Sequence, residues 1–213
     1  MISTGLLGGS FNPAHRGHRR ISLHAARALA LDELWWLVSP GNPLKDEAAM
    51  APLAARFASA EEQARGAPIR VTAIERELGT RFTADTLEAL RRRYPRRPFI
   101  WLMGADNLLQ FHLWRDWRRI ARTVPIAVIG RPGYDGRVHG ARAMGWLRRF
   151  VRPARQARQW TMWRPPALVF LRLPPDPSSA TGLRAADPHW HRKYPSSPPH
   201  PARRDAVTRQ ALP

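Results

Sequence analysis

Residues 8–18 read GGSFNPAHRGH. His15 and His18 stand three residues apart and flank Gly17, with Arg16 between them. Imidazole nitrogens donate or accept hydrogen bonds, carry protons near neutral pH and ligate metals. Three chemistries therefore compete. A metal site would need more ligands than an H-x-x-H pair with no cysteine and no neighbouring acidic residue. Two surface histidines at a helix start are the plainest alternative. The third is a phosphate cradle. Gly8 and Gly9 would let backbone amides come close to an anion. The histidines fall where a first helix begins, and that end offers unpaired N–H groups and the positive end of the helix dipole. The spacing is neither G-x-G-x-x-G nor G-x-x-x-x-G-K-S/T, which sets both of those phosphate loops aside.

The elements that must hold this stretch alternate along the chain. Ile2 to Leu7 reads as a strand, and Arg16 to Leu31 as a helix with Ile21, Ala25 and Leu29 on one stripe. Glu33 to Val38 is a strand ended by Pro40-Gly41-Asn42-Pro43, followed by a helix over Ala51 to Ala64. Ile69 to Ile74 alternates as a strand, and Thr83 to Tyr94 is a helix capped near Thr83 and stopped by Pro95. Phe99 to Met103 and Pro125 to Ile129 are apolar strands separated by a helical Asp106 to Arg122, and Ala167 to Leu171 is a last strand. This rhythm predicts an α/β fold, an open parallel sheet with helices on both faces, Rossmann-like in class. Ligands of such sheets bind beyond the carboxyl ends of the strands. Gly8, Ser39, Gly104 and Gly130 each follow a strand, so their loops should gather there. No internal repeat is present.

The chain has 213 residues, enough for one domain, with Lys+Arg 35 against Asp+Glu 16 and a net charge of +19. Such a balance seeks anions: nucleic acid, acidic lipid or phosphorylated metabolites. Residues 131–213 hold sixteen Lys/Arg against four Asp/Glu, so much of the excess lies late. No cysteine is present, which excludes disulfides, thiolate zinc sites and cysteine nucleophiles. No long apolar run predicts a membrane span, and the start lacks the pattern of a signal peptide. A cytoplasmic protein is the expectation. From Asp187 onward the chain is rich in proline, histidine and arginine. The reading is a catalytic domain over residues 1–186 and a flexible tail over 187–213, whose one helix-like stretch is Arg203 to Leu212.

Gly8 to His18 resembles the GG-[ST]-F-[DN]-P-x-H-x-G-H opening of the nucleotidyltransferase superfamily. Gly104-Ala105-Asp106-Asn107, the Trp114 of "FHLWRDW", "FTADTLEAL" from Phe82, "PGNPLK" from Pro40 and "IGRPGY" from Ile129 narrow the resemblance to bacterial nicotinate-nucleotide adenylyltransferases. It runs in order over roughly residues 3–186.

The resemblance implies transfer of the adenylyl group of ATP to nicotinate mononucleotide, with release of pyrophosphate and Mg²⁺ as the expected cation, no protein residue being named as its ligand. His15 and His18 would be the catalytic pair contacting ATP phosphates, His18 at the transition state. Gly8, Gly9, Ser10, Phe11, Lys45, Gly104 and Asp106 would bind ATP. Ser179, Thr181 and Arg184 would do so too, in a stretch similar to the family's late S-S-T-x-I-R motif, where Ser179 or Thr181 would cap a short helix. Asn42, Thr83, Trp114, Arg115 and Arg131 would bind nicotinate mononucleotide. Trp114 would stack on the pyridine ring, the backbone amides of Thr83 and Arg115 would read the carboxylate, and Arg131 would take the phosphate. On residue type alone, Asp106 is a helix N-cap, Lys45 a solvated lysine, Arg131 one base among many and the Ser179 stretch a polar turn. The chain departs from the family at Ala180, where a second serine is usual, at Phe82, where tyrosine is usual, and in the tail.

Other readings remain open at this level. One is transfer to another phosphorylated acceptor, phosphopantetheine or nicotinamide mononucleotide. Trp114 and the Thr83 region speak against the former. Another is a degenerate homologue without turnover. A third is a basic nucleic-acid-binding protein, but no such motif is present and the arginines look scattered, so no nucleic-acid partner is expected. Whether copies form a homo-oligomer is left open.

Overall fold

The structure, a computed structural model, describes residues 1–41, 50–130, 135–173, 180–194 and 204–211. Seven parallel strands form one sheet: β1 (Thr4–Gly9), β2 (Glu33–Val38), β3 (Ile69–Thr72), β4 (Phe99–Gly104), β5 (Ile126–Ile129), β6 (Val151–Arg152) and β7 (Leu168–Leu171). Their order is β3-β2-β1-β4-β5-β7-β6. The chain reverses direction across the sheet between β1 and β4, which pair in register from Thr4↔Phe99 to Leu7↔Leu102. The crevice beyond their carboxyl ends is thus the switch point at which such sheets bind ligands.

The helices are α1 (Arg16–Leu29), α2 (Leu53–Ala64), α3 (Ile74–Leu78), α4 (Thr83–Arg93), α5 (Ala105–Gln110), α6 (Trp117–Thr123), α7 (Asp135–His139), α8 (Met144–Leu147) and α9 (Ala180–Ala186). Both faces of the sheet are covered. Leu6, Trp35, Trp101 and Val128 face Leu87 and Leu90 of α4, Leu108 of α5 and Ile120 of α6. Leu7, Trp36, Leu102 and Ala127 face Ile21, Ala25 and Leu29 of α1 and Phe57 of α2. Strands buried on both sides read as unbroken apolar runs, which is why β2, β4 and β5 were legible.

Several boundaries differ from the sequence reading, each for a local reason. α1 stops at Leu29 because Ala30 adopts a left-handed conformation (φ 51°) and Leu31 N–H bonds back to the Ala26 carbonyl at 2.9 Å. The alternation from Ile69 ends at Thr72, whose hydroxyl accepts from Ile74 N–H at 3.1 Å and starts α3. Phe82, not Thr83, is the N-cap of α4, with no side-chain cap bond. The expected helix over Asp106 to Arg122 breaks at 111–116: a 3-10 turn covers Phe111–Leu113, Trp114 is extended, and Asp116 is left-handed (φ 53°) before α6. Two elements carry no periodicity in the sequence. One is the two-residue strand β6. The other is the 3-10 stretch Ala154–Met162, whose buried Trp160 donates from Nε1 to the Leu29 carbonyl at 3.1 Å.

The stretch read as a flexible tail has seated parts. Trp190 is buried within a 3-10 turn, Trp190–Lys193, and the Tyr194 hydroxyl meets the Glu62 carboxylate on α2. Residues 204–211 form a turn and not a helix. There Asp205 is 3 % exposed, and Ala206 N–H bonds to the Val71 carbonyl on edge strand β3 at 3.3 Å. Polar links of this kind leave no hydrophobic pattern to read.

Candidate active site

The GGSFNPAHRGH stretch leaves β1 at the switch point and enters α1. Gly8 is required there by packing. A Cβ on it would meet Cη2 of Trp101 at 2.4 Å, so the indole from β4 fills the space a side chain would take. Phe11 is held at a positive φ of 46°, a conformation side chains of its size rarely adopt. Its ring, 1 % exposed, stacks on Trp36 at 5.0 Å and meets His18 at 4.9 Å, contacts that offset the local strain.

The two histidines cap α1 together. His15 is the N-cap, and its Nδ1 accepts from Gly17 N–H at 3.1 Å. His18 Nδ1 accepts from His15 N–H at 3.2 Å, and the rings lie 3.9 Å apart. This corrects the picture of unpaired amides waiting for an anion. The His15 and Gly17 amides are already spent on the imidazoles. A backbone donor on each Nδ1 leaves the ring proton on Nε2. Both side chains therefore become Nε2–H donors polarised by the helix start behind them.

The cradle is tied to α2. Arg56, 1 % exposed, donates from Nη1 to the Ser10 carbonyl at 2.8 Å and the Ser39 carbonyl at 2.7 Å, from Nε to the Ala51 carbonyl at 2.8 Å, and from Nη2 to the Pro40 carbonyl at 3.2 Å. Burial lowers its pKa to about 10, which leaves it charged at neutral pH. Asn12 Oδ1 accepts from Ala51 N–H at 3.3 Å, and Ala14 N–H donates to Ser59 Oγ at 3.2 Å. Sequence reasoning missed Arg56. Its one signal is a lone arginine between Ala55 and Phe57 of an alanine-rich helix.

The late motif reaches the same loop. Arg184 donates from Nη1 to the Asn12 carbonyl at 2.6 Å and from Nη2 to Thr181 Oγ1 at 3.3 Å. Thr181 lies inside α9 and does not cap it. Across the crevice, Gly104 ends β4 and is the N-cap of α5, so Asp106 sits in the first turn and the expected N-cap role passes to Gly104. Trp114, half-buried, meets Trp101 edge to face at 6.3 Å and Phe111 at 5.5 Å. The Arg115 guanidinium lies 4.5 Å from the centre of the Phe82 ring. That contact brings the Trp114–Arg115 turn against the start of α4, where Thr83 stands. Asn42, Lys45, Arg131 and Ser179 lie outside the described residues. Among the described residues no three His, Asp or Glu side chains cluster as a metal cage.

A doubly covered parallel sheet with a histidine-capped helix at its switch point defines a nucleotide-binding α/β architecture, and comparisons place it further. The family model described as Cytidylyltransferase-like matches residues 6–186. A protein of Erythrobacter litoralis named "Probable nicotinate-nucleotide adenylyltransferase" is 63 % identical over 91 % of this chain and 88 % of its own length. One of the same name from Parvibaculum lavamentivorans is 50 % identical over 86 % of this chain and 91 % of its own. The solved structure of Plasmodium falciparum nicotinic acid mononucleotide adenylyltransferase complexed with NaAD shares the fold, with a TM-score of 0.64 at 14 % identity over 87 % of this chain and 83 % of that one. The chain belongs to the cytidylyltransferase-like family, in the branch of the nicotinate-nucleotide adenylyltransferases.

Proposed function

We propose that this protein transfers the adenylyl group of ATP to the phosphate of nicotinate mononucleotide, giving deamido-NAD and pyrophosphate in NAD biosynthesis. The observation that carries the reading is the histidine pair: two Nε2–H donors at the switch point, each fixed through Nδ1 by a backbone amide. The names of the close relatives support the same substrates.

A phosphate oxygen of the mononucleotide attacks the α-phosphorus, and the bond to the β-phosphate oxygen breaks. No carboxylate base is needed, because a phosphate monoester with a second pKa of about 6 is already largely dianionic. The protein aligns two anions that repel each other and stabilises charge on the transferring group. His15 and His18 serve that end as preorganised donors. Arg184, with Thr181 beside it, adds positive charge where the late motif meets the cradle. Arg56 holds the loop from behind. Gly104 and Asp106 border the nucleotide, while Trp114 stacks the pyridine ring and the amides of Thr83 and Arg115 receive the carboxylate. Ser10, Lys45 and Ser179 for ATP, and Asn42 and Arg131 for the mononucleotide, complete the set by family position.

Mg²⁺ would neutralise the pyrophosphate leaving group. The cation would be held largely by the phosphates of ATP. No helix among the described residues is long and apolar enough to cross a membrane.

The test is pyrophosphate release from ATP and Mg²⁺ with nicotinate mononucleotide, nicotinamide mononucleotide or no acceptor. A strong preference for the nicotinate form is expected. Folded protein that releases no pyrophosphate with any acceptor would overturn the reading.

A further inference from the structure

A polar chain links the carboxy-terminal turn to the part of the site assigned to the nicotinate carboxylate. It begins at Asp205, which is 3 % exposed. Its Oδ1 accepts from Val207 N–H at 2.8 Å and Thr208 N–H at 2.9 Å, which closes the turn on itself. Its Oδ2 accepts from Ala73 N–H at 2.7 Å and the Thr72 hydroxyl at 2.9 Å, at the carboxyl end of β3. The same Thr72 oxygen accepts from Ile74 N–H at 3.1 Å, so one carboxylate sets the first peptides of α3.

α3 passes the constraint on. The Glu75 carbonyl accepts from Thr80 N–H at 2.9 Å, and the Glu75 carboxyl meets the Thr86 hydroxyl on α4 at 3.1 Å. Thr80 and Thr86 hydroxyls lie 2.9 Å apart. Thr86 reaches the Phe82 carbonyl, from its amide at 3.0 Å and its hydroxyl at 3.2 Å. Phe82 immediately precedes Thr83, and the Arg115 guanidinium covers its ring at 4.5 Å. From Asp205 to Phe82 the chain runs through hydrogen bonds between buried or half-buried groups and through adjacent residues of α3, and its last step is the ring contact of the exposed Arg115 guanidinium on Phe82.

We infer that Asp205 is a positioning residue: the carboxy-terminal turn, clamped to Thr72 and Ala73, sets α3 and the start of α4 so that the Thr83 and Arg115 amides meet the carboxylate of the acceptor. The inference rests on the reading of those amides under Proposed function. A turn that merely covered the edge of β3 would need only the Ala206-to-Val71 bond. Instead, its carboxylate is buried against the strand-to-helix junction that leads into the site. Small displacements of binding groups carry large costs in rate.

The experiment uses the full chain. kcat/KM is measured with nicotinate and with nicotinamide mononucleotide for wild type, Asp205→Asn and Thr72→Val, alongside KM for ATP and a thermal melt. Asp205→Asn retains a carbonyl for the turn's own amides but turns an NH2 group toward Ala73 N–H. Thr72→Val keeps the volume, removes the hydroxyl's two bonds, to Asp205 Oδ2 and from Ile74 N–H, and supplies the result should Asp205→Asn fail to fold. The expected result is a fall in the nicotinate-to-nicotinamide ratio, by about tenfold for Asp205→Asn and less for Thr72→Val, with KM for ATP unchanged. A ratio equal to wild type in the folded variants overturns the inference, even if both rates drop in parallel. A wild type that does not prefer the nicotinate form overturns the substrate reading and this inference with it.

Discussion

Arg184 and Asn12 are joined by a 2.6 Å hydrogen bond between positions 172 residues apart in the chain. The bond pins the late basic motif to the loop that carries His15 and His18. It also places a guanidinium beside the proposed phosphate cradle, where one N–H of Nη1 holds Asn12, one of Nη2 holds Thr181, and the other N–H groups face the cradle as donors for an anion. Arg184→Gln removes the charge and weakens the link. Hydrogen bonds to charged groups contribute about 1.5–3 kcal/mol, so a loss of roughly 10–100-fold in kcat/KM for ATP is expected. Steady-state kinetics with each substrate varied in turn checks it. An effect confined to the mononucleotide would contradict this placement.

The histidines have separable duties. Asparagine is a good N-cap, so His15→Asn should keep the Gly17 bond and the melting temperature while removing the Nε2–H donor. Loss of one preorganised donor lowers kcat by about 10²–10³-fold. His18→Ala should show a similar loss of rate and also a modest drop in stability, because His15 N–H loses its acceptor. Rate assays paired with thermal melts decide the matter. A His15→Asn variant with wild-type turnover would rule out a phosphate contact at His15.

Gly8→Ala forces a methyl group to within 2.4 Å of Trp101 unless the indole moves. Overpacking of this kind costs about 1–3 kcal/mol. Because Trp101 abuts Trp114, the displacement should raise KM for the mononucleotide more than KM for ATP. Trp101→Phe, whose ring lacks the benzo edge, should restore stability in the double variant. If the two substitutions prove strictly additive, the coupling is absent.

Glu75 supplies a pH dependence of stability. Burial pushes its pKa up from 4.5 to about 7, against the opposing bond from Thr86. Between those values the folded chain holds a proton that the unfolded chain has released. Stability is therefore complete below pH 4.5, falls as pH rises toward 7 and is fully reduced above it, by about 3 kcal/mol for this group. Glu75→Gln should abolish that part of the slope and melt higher than wild type at pH 8. A gap between the two proteins that is the same at pH 4.5 and pH 8 would refute the assignment.

Much of the architecture was legible because it is local. β2, β4 and β5 are apolar runs, the face of α1 repeats through Ile21, Ala25 and Leu29, and the histidines announce a helix start. The break at Trp114–Arg115 was not legible, since nothing in the helical pattern of residues 106–122 marks it. Nor did the pattern reveal the scaffold of the site. Arg56 carries no periodic or motif signal, and its role shows only in the four carbonyls that converge on it.

The sequence by itself determined the alternation of strands and helices, the glycine and histidine motif at the end of the first strand, and the family that the motif implies. These are encoded in neighbouring residues, through side-chain period and capping chemistry. Only the tertiary structure decided that Gly8 makes room for Trp101, that Arg184 meets Asn12 and that Asp205, 133 positions from Thr72, closes a turn onto the sheet. The physical reason is that a buried polar group takes whichever partner the crossing of the chain brings within about 3 Å, and such partners follow no period along the sequence.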